Sequence, residues 1–408
     1  MDKTRMKKEV KKDPIISNIK FAALCITHNC NLRCKYCYAG KKSPKTMSLE
    51  TAKKSLKYLH DNSNGKCIVT FFGGEPLIDF ELLKKIVNYS QEKYGEKIKF
   101  RLSTNGTLLT KKIISYLKSH QIYFVLSIDG NKNQNDLNRK SQKGIGSYYL
   151  IEKNIKSILE VNEYAIAVSV VNPATSTLFS EGVKHLWSLG FKYILQTLDY
   201  SAPWDKKDLK NLEKQYKSIA NFYSELLIKG EKIYYSPFDE RIKTRAQKPY
   251  EKGDICDLAN TQIAIAPSGR IYPCVQFIED DNDHSAIQAI GDVFSGFDPQ
   301  KRLNTIKRNY RDKKSCKECP LEGRCATYCG CINFRCTGKI DQIPPIICEH
   351  ERLLMPIVDR MANKLWKKNV ILFKRKFYEK TFSISSYMED CCLQKEKTHV
   401  ENKTAKKV

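Results

Sequence analysis

The residues of this 408-residue chain best suited to chemistry are its 16 cysteines. They fall in two groups, Cys25 to Cys67 and Cys256 to Cys348, with Cys391 and Cys392 in the tail. The first group contains Cys30-x3-Cys34-x2-Cys37. Three thiolates so close together can hold three corners of a [4Fe–4S] cube and leave the fourth iron open to a cofactor or substrate. A structural zinc site is the alternative, but it needs a fourth ligand, His28 or Cys25, and Cys25 lies within an expected strand. Two further motifs follow, Gly73-Gly74-Glu75-Pro76 and Ser103-Thr104-Asn105-Gly106. Paired glycines admit a ligand close to the backbone, Glu75 offers a carboxylate to an ammonium, and Pro76 stiffens the turn. Ser103 and Asn105 offer hydroxyl and amide groups suited to ribose or carboxylate.

The elements that must position these motifs have a regular rhythm. Near-continuous apolar runs start at Phe21, Cys67, Ile98, Tyr123, Tyr164 and Tyr193, as buried parallel strands do. Helical patterns separate them, at Ser48 to Asn62, Asp79 to Tyr94 and Thr110 to Ser119, each opening on a capping residue. This spacing predicts an α/β fold of six β/α units, a partial TIM-like barrel whose chemistry sits at the carboxyl ends of the strands. All three motifs lie at such ends. Asp129, Asn172 and Gln196 close the fourth to sixth strands and are expected at the same mouth, Asp129 as a turn former with Gly130 or a substrate contact.

The CxxxCxxC with its aromatic Tyr36, followed by GGEP and STNG at successive strand ends, resembles the radical S-adenosylmethionine (radical SAM) superfamily from about Phe21 to Asp199. The resemblance implies that Cys30, Cys34 and Cys37 hold a [4Fe–4S] cluster whose unique iron binds SAM. Reductive cleavage of SAM then yields a 5′-deoxyadenosyl radical that abstracts hydrogen from substrate. It further implies that Gly73, Gly74, Glu75 and Pro76 cradle the methionine, with Glu75 at its ammonium. Ser103 and Asn105 would contact ribose or carboxylate, and Tyr36 would lie near the adenine.

The second cysteine group begins after an amphipathic stretch, Asp205 to Gly230, that reads as a bridging helix. It contains Cys256-x12-Gly-x4-Cys274 and Cys316-x2-Cys319-x5-Cys325-x3-Cys329 with a distant Cys348. This order resembles the SPASM domain, the C-terminal iron–sulfur extension of radical SAM peptide and protein maturases. By that resemblance Cys316, Cys319, Cys325 and Cys348 hold an outer cluster, and Cys256, Cys274 and Cys329 an inner one, three [4Fe–4S] clusters in all. By that resemblance some relatives supply a fourth inner cysteine shortly after the first, whereas Asp257 to Gln262 reads DLANTQ. The inner cluster is then open to a substrate thiolate, or closed by Cys331 or Cys336. A pair of zinc ribbons in a nucleic-acid-binding protein is the competing reading.

The expected domains are a basic arm (1–20), a radical SAM partial barrel (21–200), a helical bridge (201–250), a SPASM domain (251–350), a C-terminal helix (351–386) and a basic tail (387–408). The helix, from Glu349, is expected to break at Pro356. The acidic loop Glu279 to His284 is expected to be solvated.

Val275 follows Cys274 where, by resemblance, anaerobic sulfatase maturases carry an acidic residue serving as base. The substrate expected is therefore a ribosomally made precursor peptide, for example one receiving a Cys thioether. Lys plus Arg number 71 against 45 Asp plus Glu, a net charge of +26 that suits an acidic leader segment. Many peptide maturases that this chain resembles carry an N-terminal leader-recognition domain, and with about twenty residues before the first strand that domain is expected to be absent, replaced or supplied by a separate leader-binding protein. A reduced flavodoxin or ferredoxin is the expected electron donor. Neither a membrane span nor a specific nucleic-acid partner is expected. The opening MDKTRMKKEVKKDP lacks the apolar core of a signal peptide, which points to a cytoplasmic location and to reduced, metal-binding thiols.

Overall fold

The computed structural model describes residues 18–247, 249, 256–282, 284–311, 313–325 and 329–379. The expected N-terminal arm, apart from its last three residues, and the tail with Cys391 and Cys392 lie outside them.

Alternating strands and helices build the first half: β1 (Phe21–Thr27), α1 (Leu49–Asp61), β2 (Cys67–Gly73), α2 (Phe80–Tyr94), β3 (Ile98–Thr104), α3 (Lys111–Ser119) and β4 (Tyr123–Ser127). After these come α4 (Lys132–Asn138), α5 (Tyr148–Val161), β5 (Ile166–Val171), α6 (Phe179–Ser188) and β6 (Tyr193–Leu198). The helices start where the capping residues stand. Ser48 Oγ accepts the Thr51 N–H at 3.0 Å, Asp79 the Leu82 N–H at 3.0 Å and Thr110 the Ile113 N–H at 3.3 Å. The bridging helix α7 (Lys206–Ile228) likewise starts at Asp205, which accepts the Asp208 N–H at 2.7 Å.

All six expected strands pair in parallel, β1 to β6 in order, and a short β7 (Tyr234–Tyr235) adds to β6 before α8 (Ser236–Ala246). The second half extends the same sheet from its other edge. β8 (Gln262–Ile265) pairs in parallel with β1, and β9 (Arg270–Tyr272), β10 (Gly291–Asp292) and β11 (Gly296–Phe297) continue it antiparallel. The two edges, β7 and β11, are not hydrogen-bonded, so the barrel is partial and stays open. Outside it lie α9 (Pro299–Tyr310), α10 (Gly330–Thr337), α11 (Pro345–Lys367) and α12 (Ile371–Tyr378), α11 packing on α7 and α8.

Two expectations are corrected. The C-terminal helix starts earlier, at Pro345, and runs unbroken through Pro356. Pro356 is exposed, so the Arg352 carbonyl that loses its intrahelical partner is on the side that faces water. The acidic loop is not wholly solvated. Asp281 is buried and accepts from Ser268 N (3.0 Å), Ser268 Oγ (2.8 Å), the Tyr272 hydroxyl (3.2 Å) and Lys45 Nζ (3.0 Å). It thereby ties the segment after the Cys30–Cys37 loop to the second half of the chain.

The ends of β1 and β2 approach backbone to backbone. Gly74 N–H donates to Thr27 O and Glu75 N–H to Asn29 O, both at 2.8 Å. A Cβ on Gly73 would stand 2.2 Å from Thr27 O, and one on Gly74 2.1 Å from Asn29 O. Gly73 also has φ 137°, which a side chain disfavours. Gly73→Ala or Gly74→Ala should therefore each destabilise the fold by about 1–3 kcal/mol. Thermal unfolding measures this, and unchanged melting would show that the strand ends have room to spare.

Candidate active site

At the carboxyl ends of the parallel strands lies a cavity of about 310 Å³. Cys30, Cys34 and Cys37 line one side of it, Gly73 and Gly74 come from the end of β2, and Ser103 and Asn105 from the end of β3. Residues of the second half, Gln276, Arg335 and Cys336, complete the wall. Of the residues the sequence singled out there, Glu75 and Pro76 are buried and do not line the cavity.

The cysteine loop is held from three directions. Its backbone is tied to the end of α4 and the chain after it by Lys35 N–H to Asn138 O (3.2 Å) and Arg33 N–H to Lys140 O (2.7 Å). Asn31 Nδ2 donates to Thr107 Oγ1 at 2.7 Å, and Asn105 Nδ2 to Asn31 Oδ1 at 2.9 Å, reaching Cys30 Sγ at 3.9 Å. On the exposed side Lys42 Nζ stands 3.0 Å from Cys37 Sγ. His28 and Cys25, the candidates for a fourth zinc ligand, are buried and do not line this cavity.

The Glu75 carboxylate locks the strand ends instead of facing the cavity. Its oxygens accept from Asn105 N (2.7 Å), Thr104 Oγ1 (2.8 Å) and Leu77 N (3.1 Å). Burial pushes its pKa up to about 7 against the pull of those three bonds. Asp129 is similarly structural. It is buried and accepts from the Tyr36 hydroxyl (2.6 Å), Arg139 Nε (3.2 Å) and Val170 N (3.1 Å), so Tyr36 presents its ring, not a free hydroxyl, to the cavity. Asn172 pairs with Asn138 and stays out of the cavity. Gln196 lines a neighbouring cavity of about 180 Å³ with Tyr200, His350 and Cys329.

The family model described as the Radical SAM superfamily matches residues 24–173. The chain belongs to the radical SAM superfamily. A cysteine-type anaerobic sulfatase-maturating enzyme of Clostridium perfringens is 25% identical over 321 residues, 74% of this chain and 85% of that enzyme. The solved structure of native anSMEcpe with bound AdoMet and Cp18Cys peptide matches with TM-score 0.71 at 21% identity, covering 86% of this chain and 100% of that one. Streptococcus suis SuiB bound to precursor peptide SuiA matches with TM-score 0.60 at 17% identity, covering 82% and 76%. These structures share the α/β fold with its open parallel sheet.

As a radical SAM enzyme the chain works with S-adenosylmethionine and a [4Fe–4S] cluster, and the residues present suit both. Three thiols share one cavity with a side-chain-free glycine pair and the polar ends of β3. Burial raises the Cys30 thiol, and raises Cys34 to about 11, so taking up iron must displace protons from them.

The second cysteine group surrounds a different point. Cys256, Cys274, Cys329 and Cys331 lie together, with Cys329 Sγ 3.2 Å from Cys331 Sγ. They pack with Cys25, Tyr272 and Phe277 in an apolar cluster of their own. Cys316 and Cys325 are buried, Cys319 and Cys348 half-buried, and burial raises the Cys348 thiol, with Cys319 among its neighbours. Among the described residues no group of three or more His, Cys, Asp or Glu already stands in metal-ligand geometry. In the inner set the close sulfur contacts show the thiols drawn together, where metal ligands would stand further apart.

Arg139 and Gln276 were not singled out as site residues by sequence. Arg139 stands in no motif, and only the fold of the chain after β4 brings it beside Tyr36, with its guanidinium 5.4 Å from the ring centre. Cys331 was legible as one of two candidates for the inner set.

The Glu75 geometry makes a pH prediction. Its folded pKa, about 7, lies above the ordinary carboxylate value of 4.5, so the folded state holds the proton more tightly. Its contribution to stability is greatest below about pH 4.5 and is lost as the pH rises to about 7. The stability advantage of the native chain over Glu75→Gln should shrink across that window by up to about 3 kcal/mol. Denaturant titrations at several pH values read this directly, and a pH-independent difference would contradict it.

Proposed function

We propose that this radical SAM enzyme modifies a ribosomally made precursor peptide, with formation of a Cys thioether as the leading product. The observation that carries the reading is one cavity walled by the CxxxCxxC loop on one side and by the cysteine-rich second half on the other. In this reading Cys30, Cys34 and Cys37 hold the cluster, Gly73 and Gly74 offer backbone to the methionine moiety, Ser103 and Asn105 offer polar contacts, and the Tyr36 ring flanks the adenine. When bound, the cluster and SAM supply a carbon radical able to take hydrogen from an unactivated C–H bond.

The chain's own groups position and shield that chemistry. Asn105, fixed through Asn31 and Thr107, orients the loop at Cys30. Arg139 brings a positive charge to the cavity wall and is itself fixed by Asp129. The wall formed by Gln276, Ile332, Arg335 and Cys336 limits water at the reacting carbon. Two auxiliary clusters follow from the second cysteine group, the outer one on Cys316, Cys319, Cys325 and Cys348.

A peptide is favoured because anSMEcpe and SuiB, which share the fold, were both solved with peptides bound. A sulfatase-maturase-like oxidation of a protein side chain is the second reading, given the similarity to the Clostridium perfringens enzyme. Against it stands Val275, an apolar residue where the resemblance requires a base. The charge of +26 suits an acidic leader, an acidic leader-binding partner and an acidic flavodoxin or ferredoxin. Among the described residues no helix is long and apolar enough to cross a membrane.

Anaerobic reconstitution should give about twelve iron per chain, three cubanes, and dithionite with SAM should give 5′-deoxyadenosine. Cys34→Ala should abolish deoxyadenosine and leave about eight iron. Incubation with candidate precursor peptides, followed by mass spectrometry for a loss of two hydrogens at a Cys-linked residue, tests the product. Stoichiometric zinc with no cleavage of SAM would sink the enzyme assignment in favour of a zinc-ribbon protein.

A further inference from the structure

We infer that Cys331 is the fourth ligand of the inner auxiliary cluster, so that Cys256, Cys274, Cys329 and Cys331 close it to substrate. Cys336 is then left as a free thiol in the reaction cavity. The inference rests on the radical SAM peptide-maturase reading above and decides an alternative that the sequence leaves open.

The sequence lacks the expected cysteine after Cys256, since Asp257 to Gln262 contains none. The structure supplies one from elsewhere. Cys329 caps α10 and Cys331 lies in its first turn, with their sulfurs 3.2 Å apart. Cys331 also packs in one buried cluster with Cys274, against which Cys256 and Cys329 lie, so all four members of the set are neighbours. Cys336, at the far end of the same short helix, lines the cavity beside Arg335 instead.

The residue between the two thiols explains why the chain can do this. A Cβ on Gly330 would stand 2.5 Å from Asn309 Oδ1 and 2.9 Å from Leu258 Cδ2. A side chain at position 330 would press on Leu258 and Asn309, so glycine lets the start of α10 seat closely against the segment that carries Cys256. The same Asn309 side chain holds that segment, donating from Nδ2 to Cys256 O at 3.0 Å. The Cys-Gly-Cys turn and Cys256 are thus fixed to one another by packing that does not depend on a metal.

Four thiolates complete the coordination of a cube, one per iron, with loss of their protons and no vacant position. The inner cluster would then relay electrons or hold the fold, and a substrate sulfur would have to be positioned by the cavity wall.

The test uses the full chain carrying Cys30→Ala, Cys34→Ala and Cys37→Ala, which leaves only the auxiliary clusters to observe. After anaerobic reconstitution and dithionite reduction, isotopically labelled cyanide is added and its hyperfine coupling sought by electron paramagnetic resonance. No coupling is expected in this parent. Adding Cys331→Ala should open one iron and produce coupling, whereas adding Cys336→Ala should behave like the parent. Should Cys331→Ala prove too unstable, Cys331→Ser keeps a ligand but should shift the g-values of the inner cluster. Coupling in the parent, coupling on Cys336→Ala alone, or a spectrum indifferent to both Cys331 substitutions overturns the assignment. A parent with no iron would overturn the cluster reading itself, which separates the two failures.

Discussion

The crossing of backbone at the ends of β1 and β2 is the constraint on which the site depends. The parallel register slips between Cys25 and Thr27, and the chain then leaves β1 under the Gly73–Gly74 pair. Two hydrogen bonds fix Thr27 and Asn29 immediately before Cys30. The same turn delivers Glu75, whose buried carboxylate reaches across to Thr104 and Asn105 at the end of β3. Leaving those donors unsatisfied in the interior would cost about 1–3 kcal/mol each, so the three bonds offset part of the cost of burying the carboxyl group. Three strand ends, and with them three motifs, become one rigid unit.

That unit becomes a reaction chamber only because the second half of the chain joins the same sheet. β8 lies parallel beside β1, which places the residues following β9 over the open mouth. Lys45 and Asp281 fasten the two halves close to the cysteine loop, and a Cβ on Gly40 would come within 3.2 Å of Asp280 N. A reactive carbon radical needs a wall that excludes water and does not yield, and a continuous sheet gives a stiffer wall than a hinged second domain. The cysteine-rich segment is therefore both a lid and a holder of its own thiols.

Strand and helix positions were legible because their signals are local. Apolar runs marked β1 to β6, and Ser48, Asp79, Thr110 and Asp205 marked helix starts that the structure reproduces. The convergence of Cys30, Gly73 and Ser103 was legible too, since topology sends the carboxyl ends of parallel strands to one side. What stayed hidden depended on where a side chain turns. Glu75 looked like a ligand group because motifs record identity and not direction, and its partners Thr104 and Asn105 lie far along the chain. Asp129 looked like a turn former, but its carboxylate bonds to Tyr36 and Arg139. Asp281 sat in a run of acids that reads as solvated, and only the fold brings Ser268, Tyr272 and Lys45 around it. Choosing between Cys331 and Cys336 required the rotation of α10, which composition does not carry.

The orientation of α11 is fixed by a similar polar network, and this bears on the outer cysteines. His350 is buried, which pushes its pKa down to about 4 and keeps the ring neutral. Both ring nitrogens are engaged, Nδ1 with the Tyr200 hydroxyl and Nε2 with the Tyr216 hydroxyl, each at 2.9 Å. A neutral imidazole has one donor and one acceptor, so the two tyrosines must play opposite roles and the ring has one satisfactory placement. The next residue, Glu351, forms a buried bidentate pair with Arg241 of α8. Together these contacts set the rotation of the helix about its axis. Cys348 lies two residues before His350, roughly 200° around an α-helix. Fixing His350 against α7 therefore turns Cys348 to the other side, where Cys319 is among its neighbours. A network with no thiol in it thus aims the last cysteine of the chain's second group, which explains why so polar a cluster is kept in an otherwise apolar helix interface.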